Sequence, residues 1–189
     1  MPTTSDFKKN LRILVDGEPY AIVDVRLQSP TARGTATLVR TKLRHLLTGQ
    51  LIDKTFKAGE SVDSPDLVFR PAQFLYADGD DLHFMDEESF EQFSLPRESL
   101  AEIAPWLVDG TSVRAVHFEG RVAAVELPKV LEVEVIETEP AVRGNTAAGK
   151  VMKRAVVAGG AEIQVPLFVE KGERIEVDPH EGRFIRRAG

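Results

Sequence analysis

Cysteine is absent from the sequence. That excludes a disulfide framework and any thiolate nucleophile. No run of 18 apolar residues occurs, so no transmembrane helix is expected. The opening "MPTTSDFKKN" has no apolar core of the kind a secretory signal needs. These absences point to a cytoplasmic protein with no membrane partner. His45, His83, His117 and His180 are scattered without metal-ligand spacing, so no metal and no other cofactor is expected. A Gly-x-Ser-x-Gly elbow is missing too. Carboxylates are plentiful, but they fall mostly on alternating strand positions, and nothing selects a catalytic pair.

What is present is ordinary in bulk and uneven in detail. Over 189 residues, 42% are hydrophobic and 29% charged, as in soluble globular domains. The net charge of −6 argues against a general nucleic-acid binder. It hides an asymmetry. Residues 1–64 carry ten Lys/Arg and seven Asp/Glu, residues 65–128 four and thirteen, and residues 129–189 ten and ten. Within 26–57 stand seven basic residues and one acid, Asp53. A basic head can meet phosphates, and an acidic middle can repel non-specific sites.

Strand signals dominate. In "AIVDVRLQ", Val23, Val25 and Leu27 alternate with Asp24 and Arg26; in "TATLVRTKL", apolar residues alternate with Arg40 and Lys42. The two runs predict a hairpin with Arg33 near its apex. "FLYADGDDLHFMD" predicts a second, turning at Asp78-Gly79-Asp80, and "TSVRAVHFEGRVAAVEL" a third, turning at Glu119-Gly120. "LEVEVIE", "AEIQVPLFV" and "ERIEVD" continue the pattern, the last two joined by the turn "EKGE". One helix is expected in "PRESLAEIAPWLVDG", with Leu100, Ile103, Ala104 and Leu107 on one face and Pro105 shortening it. Many short, evenly spaced strands mean barrels or sandwiches. Boundaries near "SVDSPDL" and "ELPKV" give modules at 1–64, 65–128 and 129–189. The fold class is all-β, in three small modules that pack on one another to bury enough core.

Two loops hold the chemistry. "GNTAAGKV" has the glycine and lysine spacing of a phosphate-binding P-loop, but Val151 stands where a Ser/Thr hydroxyl would hold Mg²⁺, and "MKRAVVAGGAEIQV" does not read as the helix that should follow. Nucleotide hydrolysis is therefore not expected. In "QSPTARGTATL" a single cation, Arg33, stands among Ser29, Pro30, Thr31, Ala32, Gly34 and Thr35. Its small residues suit entry into a narrow cleft, and Gly34 permits a tight backbone path. A planar guanidinium pairs with phosphate and stacks on bases better than an ammonium does. Arg26, Arg40, Lys42 and Arg44 add charge on the flanking strands.

At whole-chain scale, "GEPYAIVDV", "VRTKLRHLLTGQLIDKTFKAGE", "LYADGDDLHFMDEESFEQF", "EPAVRGNTAAGK" and "AEIQVPLFVEKGERIEVD" in this order resemble the bacterial elongation factor P family. The resemblance implies three β-barrels in an L shape that mimics tRNA, the first SH3-like (KOW-like) and the next two of the OB-fold type. It implies a translation factor, not an enzyme in the hydrolytic sense, that acts as a monomer. Its partners would be the 70S ribosome between the P and E sites, P-site peptidyl-tRNA, rRNA and the E-site mRNA codon. Its task would be relief of stalling at consecutive prolines. By the same resemblance Arg33 and its loop reach toward the peptidyl-transferase centre and the CCA end. Arg26, Arg40, Lys42 and Arg44 would contact tRNA or rRNA phosphates. Gly144, Asn145 and Thr146 would lie near the E-site codon, with Asn145 where the family commonly has Asp.

The tip departs from the common pattern. Family tips are often short and glycine-rich with an extended lysine, or carry an arginine glycosylated with rhamnose. The longer "SPTARGTATL" resembles the elongation factor P-like branch, whose arginine acts bare, whereas "VRGNTAAGK" looks more like ordinary elongation factor P. An unmodified Arg33 on a longer loop is the reading adopted. A rhamnosylated Arg33, which needs a modifying enzyme, is the alternative. A single-strand RNA-binding OB module is the more distant one. It would need exposed aromatics, and Phe69, Phe74, Phe84, Phe90 and Phe93 mostly read as core.

Overall fold

A computed structural model describes residues 1–140 and 151–189. The chain is all-β, as expected. Its packing divides it into two compact units, Met1–Phe69 with Val116–Ala124, and Arg70–Ala115 with Val125–Gly189.

The first unit is built on a four-stranded antiparallel sheet of β1 (Arg12–Val15), β2 (Glu18–Gln28), β3 (Leu38–His45) and β4 (Leu51–Lys57), paired in chain order. Alternation drives it. Ile13, Val15, Ile22, Val39, Leu43 and Phe56 are buried, and Phe7, Leu11, Tyr20, Val25 and Ile52 pack against them. A register shift between Ile22 and Asp24 moves the face of β2. The expected alternation of Val23, Val25 and Leu27 therefore ends outside the core, and Leu27 is 74% exposed. The β2–β3 hairpin is a long projection whose inner face outruns the core.

The second unit holds the C-terminal sheet and most of the middle one, whose last two strands are grouped in part with the first unit. The middle one has the strand order β7-β6-β5-β8-β9, from β5 (Leu67–Asp78), β6 (Asp81–Asp86), β7 (Gln92–Pro96), β8 (Ser112–Phe118) and β9 (Arg121–Glu126). The C-terminal one is a closed barrel, β10-β11-β12-β14-β13, from β10 (Leu131–Thr138), β11 (Met152–Val157), β12 (Glu162–Pro166), β13 (Arg174–Asp178) and β14 (Arg183–Arg187). The turns at 78–81 and 170–173 stand where the sequence predicts them.

The expected helix does not form. Residues Arg97–Leu100 and Ala104–Trp106 make two short 3₁₀ turns instead. Their bonds run from Ile103 to Leu100, Trp106 to Ile103 and Leu107 to Ala104. Pro105 has no N–H to donate to Ala101, and its ring opposes that carbonyl, so an α-helix cannot pass. Leu100, Trp106 and Leu107 are buried nonetheless. They join one continuous core running from Ala72, Phe74 and Phe84 through Val133 and Val135 to Val165 and Val177. The Ala161 amide donates to the Pro105 carbonyl at 3.0 Å. Gly159, with φ +101°, brings its backbone so close that a Cβ would stand 2.5 Å from the Pro105 oxygen. Only glycine fits there.

Candidate nucleic-acid interface

Strands β2 and β3 pair as far as Gln28 and Leu38, leaving residues 29–37 as the tip. Ser29, Pro30, Thr31, Ala32, Arg33, Gly34 and Thr35 are all exposed. The tip still has a built turn. The Thr35 amide donates to the Ala32 carbonyl at 3.4 Å, and the Thr35 hydroxyl donates to the same oxygen at 2.6 Å. Arg33 and Gly34 occupy the two corners. Gly34 has φ +92°, and a Cβ there would meet nothing within 4 Å. Backbone conformation, not space, calls for glycine. The descending limb is tied down where the Ala58 amide donates to the Thr37 carbonyl at 2.9 Å.

The stem sets the charges in rungs. Val39, Thr41 and Leu43 face inward, so Arg40, Lys42 and Arg44 share the opposite face of β3. Arg26 lies directly across from Arg40. Like charges opposed on a sheet cost roughly 0.2–1 kcal/mol. Asp24 relieves one of them, accepting from Arg26 Nε at 3.0 Å. Lys42 sits between Asp24 on β2 and Asp53 on β4. Arg44 shares its rung with Ala21 and Leu51, and through Ala21 with Arg12. Arg33, Arg40, Lys42 and Arg44 make no ion pair among the described residues. Arg26 is thus answered by a carboxylate, while the cations of β3 and the tip are left without an ion pair among the described residues. Every second residue of a strand advances about 6.8 Å, so the face offers cations at regular intervals to an extended polyanion.

At the base of the tip, Gln28 Oε1 is buried without a donor. Neither Gln28 nor the Arg12–Arg44 rung was foreseen from the sequence. Leu11, Ile13 and Val15 give the strand alternation that turns Arg12 away from the core, but only the pairing register places it on one rung with Arg44.

Gly144, Asn145 and Thr146 lie outside the described residues. The segment after them is strand β11, not a helix, as the near-miss P-loop reading requires. Among the described residues no group of three or more His, Asp or Glu could hold a metal ion, and no helix is long and apolar enough to cross a membrane. Phe74 and Phe84 are buried, as expected, but Phe69 and Phe90 are exposed at 42% and 69%. Tyr76 stacks on His83 with ring centroids 4.5 Å apart. Asp78, Asp80 and Asp81 stand beside that stack in the chain, a charge opposed to phosphate.

Comparison with known proteins locates this hairpin. The family model of the elongation factor P KOW-like domain matches residues 3–62, that of the OB domain residues 67–125, and that of the C-terminal domain residues 131–187. The chain belongs to the elongation factor P family. Elongation factor P 1 of Geobacter sulfurreducens is 46% identical over 188 residues, covering all of both chains. Elongation factor P of Moorella thermoacetica is 43% identical over the same span. Elongation factor P 2 of Protochlamydia amoebophila is 38% identical, over 98% of this chain and 96% of that one. Among solved structures, the eukaryotic translation initiation factor 5A from Methanococcus jannaschii covers 66% of this chain and 92% of its own, at 21% identity and a TM-score of 0.45. In elongation factor P terms, Arg33 crowns the KOW-like module, and the acidic residues crowd the OB module.

Proposed function

We propose that this translation factor binds the ribosome between the P and E sites and stimulates peptide-bond formation at consecutive prolines. It does so by holding peptidyl-tRNA in an attack-ready geometry. Proline's ring fixes φ and narrows the approaches open to the reacting amine. Pre-positioning the peptidyl-tRNA removes an entropic part of that barrier. Arg33 is the probe near the CCA end. Arg26, Arg40, Lys42 and Arg44 hold tRNA or rRNA phosphates, and Gly144, Asn145 and Thr146 approach the E-site codon. The working modules are 1–64, 65–128 and 129–189.

The observation that carries this reading is the tip itself, where an exposed, unpaired arginine occupies the corner of a built turn on a cationic stem. Residues 29–37 give reach by length, so Arg33 acts without modification. Arg33→Ala should abolish rescue of a Pro-Pro-Pro reporter in cells lacking other such factors, with its thermal unfolding unchanged. Full rescue by that variant would refute the tip assignment. Intact mass of the protein from its native host separates the bare form from a rhamnosylated one, which would carry one added deoxyhexose.

A further inference from the structure

An open cleft of about 410 Å³ lies in the first unit, lined by Lys8, Lys9, Asn10, Arg12, Ser64 and Pro65 among others, with no carboxylate in its wall. Its floor is a tight turn. The Leu11 amide donates to the Lys8 carbonyl at 3.1 Å, and Asn10, at φ +70°, donates its amide to Ile22 at 2.8 Å. Asparagine tolerates that left-handed conformation. Arg12 is committed, with its guanidinium 5.9 Å from the centre of the Phe69 ring. The side chains of Lys8, Lys9, Asn10 and Ser64 make no hydrogen bond or ion pair among the described residues. Two cations and two neutral polar groups thus line one concavity without a direct partner, although Lys8 acts at a distance on the Asp6 carboxylate.

The register says what could fill it. Arg12 pairs with Ala21, and Ala21 with Arg44, so the cleft adjoins the end of β3 remote from the tip. From Arg40 through Lys42 the cationic face runs toward it as far as Arg44, with Ala21 between Arg44 and Arg12. We propose that this cleft is a second phosphate-binding site, for the backbone of an RNA strand that also meets β3. Paired ammonium groups supply charge without base preference, and Asn10 and Ser64 supply the neutral polar contacts common at phosphate and sugar. The inference rests on the ribosomal reading above.

The test is the affinity of the full chain for 70S ribosomes carrying P-site peptidyl-tRNA, measured across salt concentrations. A Lys8→Ala/Lys9→Ala variant should bind about tenfold more weakly, with a salt slope shallower by roughly 1.5, as expected for two lost phosphate contacts. Lys9→Gln alone should give about half that change in slope. Arg40→Ala/Lys42→Ala serves as the comparison. If it loses affinity while the cleft variant keeps both affinity and slope, the cleft assignment fails and the ribosomal reading stands. Loss of affinity with an unchanged slope would point to a protein contact and overturn the RNA assignment. Perturbation of the Asn10 and Ser64 amide signals by inorganic phosphate, with ribosome affinity unaltered in the variant, would make this a free-anion site and overturn it likewise. No ribosome binding by the unaltered chain would remove both readings together.

Discussion

The two compact units spend their arginines differently. In the second, guanidinium groups find carboxylates. Arg186 donates to Glu176 at 2.6 Å, Arg187 lies 3.2 Å from Glu173, and Arg154 and Arg174 bond Glu162 and Glu132. Glu176 and Arg186 stand directly opposite on paired strands. In the first unit Arg33, Arg40 and Arg44 have no such partner among the described residues, and Arg40 faces another cation. Self-satisfied charge makes a scaffold; unanswered charge at an edge waits for a counter-ion. The same residue type is thus mostly paired in one unit and mostly left without an ion pair in the other, among the described residues.

The sharpest way to break this division is through the core. Phe84 is fully buried in the cluster shared by the middle sheet and the C-terminal barrel. Phe84→Ala should destabilise by about 3–5 kcal/mol. Hydrogen exchange should show protection falling in both of those sheets, while amides at Val39 and Leu43 in the first unit keep theirs. Loss confined to the middle sheet would mean that the shared core is not cooperative.

Acid offers a smaller effect. Asp86 is buried, and its carboxyl is held below the ordinary value of 3.8, chiefly by the Ser89 amide, then by that of Glu88, with Arg70 adding charge. Asp178 is held down in the same way by the Glu181 and His180 amides. A lowered folded value means stability that is present above pH 3.8 and lost as pH falls through the folded value. Denaturant unfolding followed between pH 6 and pH 2.5 should show the second unit weakening below about pH 4. Asp86→Asn should flatten that dependence. In the first unit Asp6 alone is so held among the described residues, by Thr3, so a steeper acid loss there would contradict the contrast.

The smallest effects are opposite in sign. Arg40→Ala should weaken ribosome binding several-fold and leave stability unchanged or slightly raised, because it relieves the opposition to Arg26. Arg186→Ala should leave ribosome binding unchanged and cost little stability, since its pair with Glu176 is largely exposed on the arginine side. Reversed outcomes would mean that the apparently idle cations are structural.

Much of this was legible in the chain. Period-two alternation foretold the hairpins at 28–38 and 78–81 because it is local, needing only neighbouring residues. The lone arginine among small residues and the basic head were likewise visible, since composition is not changed by folding. The helix at 97–110 was misread because the apolar spacing of Leu100, Ile103 and Leu107 fits a helix, while Pro105 removes the hydrogen bond that one needs. The exposure of Leu27 was hidden because a register shift in β2 follows from pairing with β3, not from the sequence of either strand.

The sequence by itself determined the strands, the turn glycines and the place of Arg33. Tertiary structure alone decided that Arg26 opposes Arg40, that Arg44 and Arg12 share a rung across Ala21, and that two sheets share one core. Those are contacts between residues far apart in the chain, and register, which shifts every side chain at once, is settled only when the strands meet.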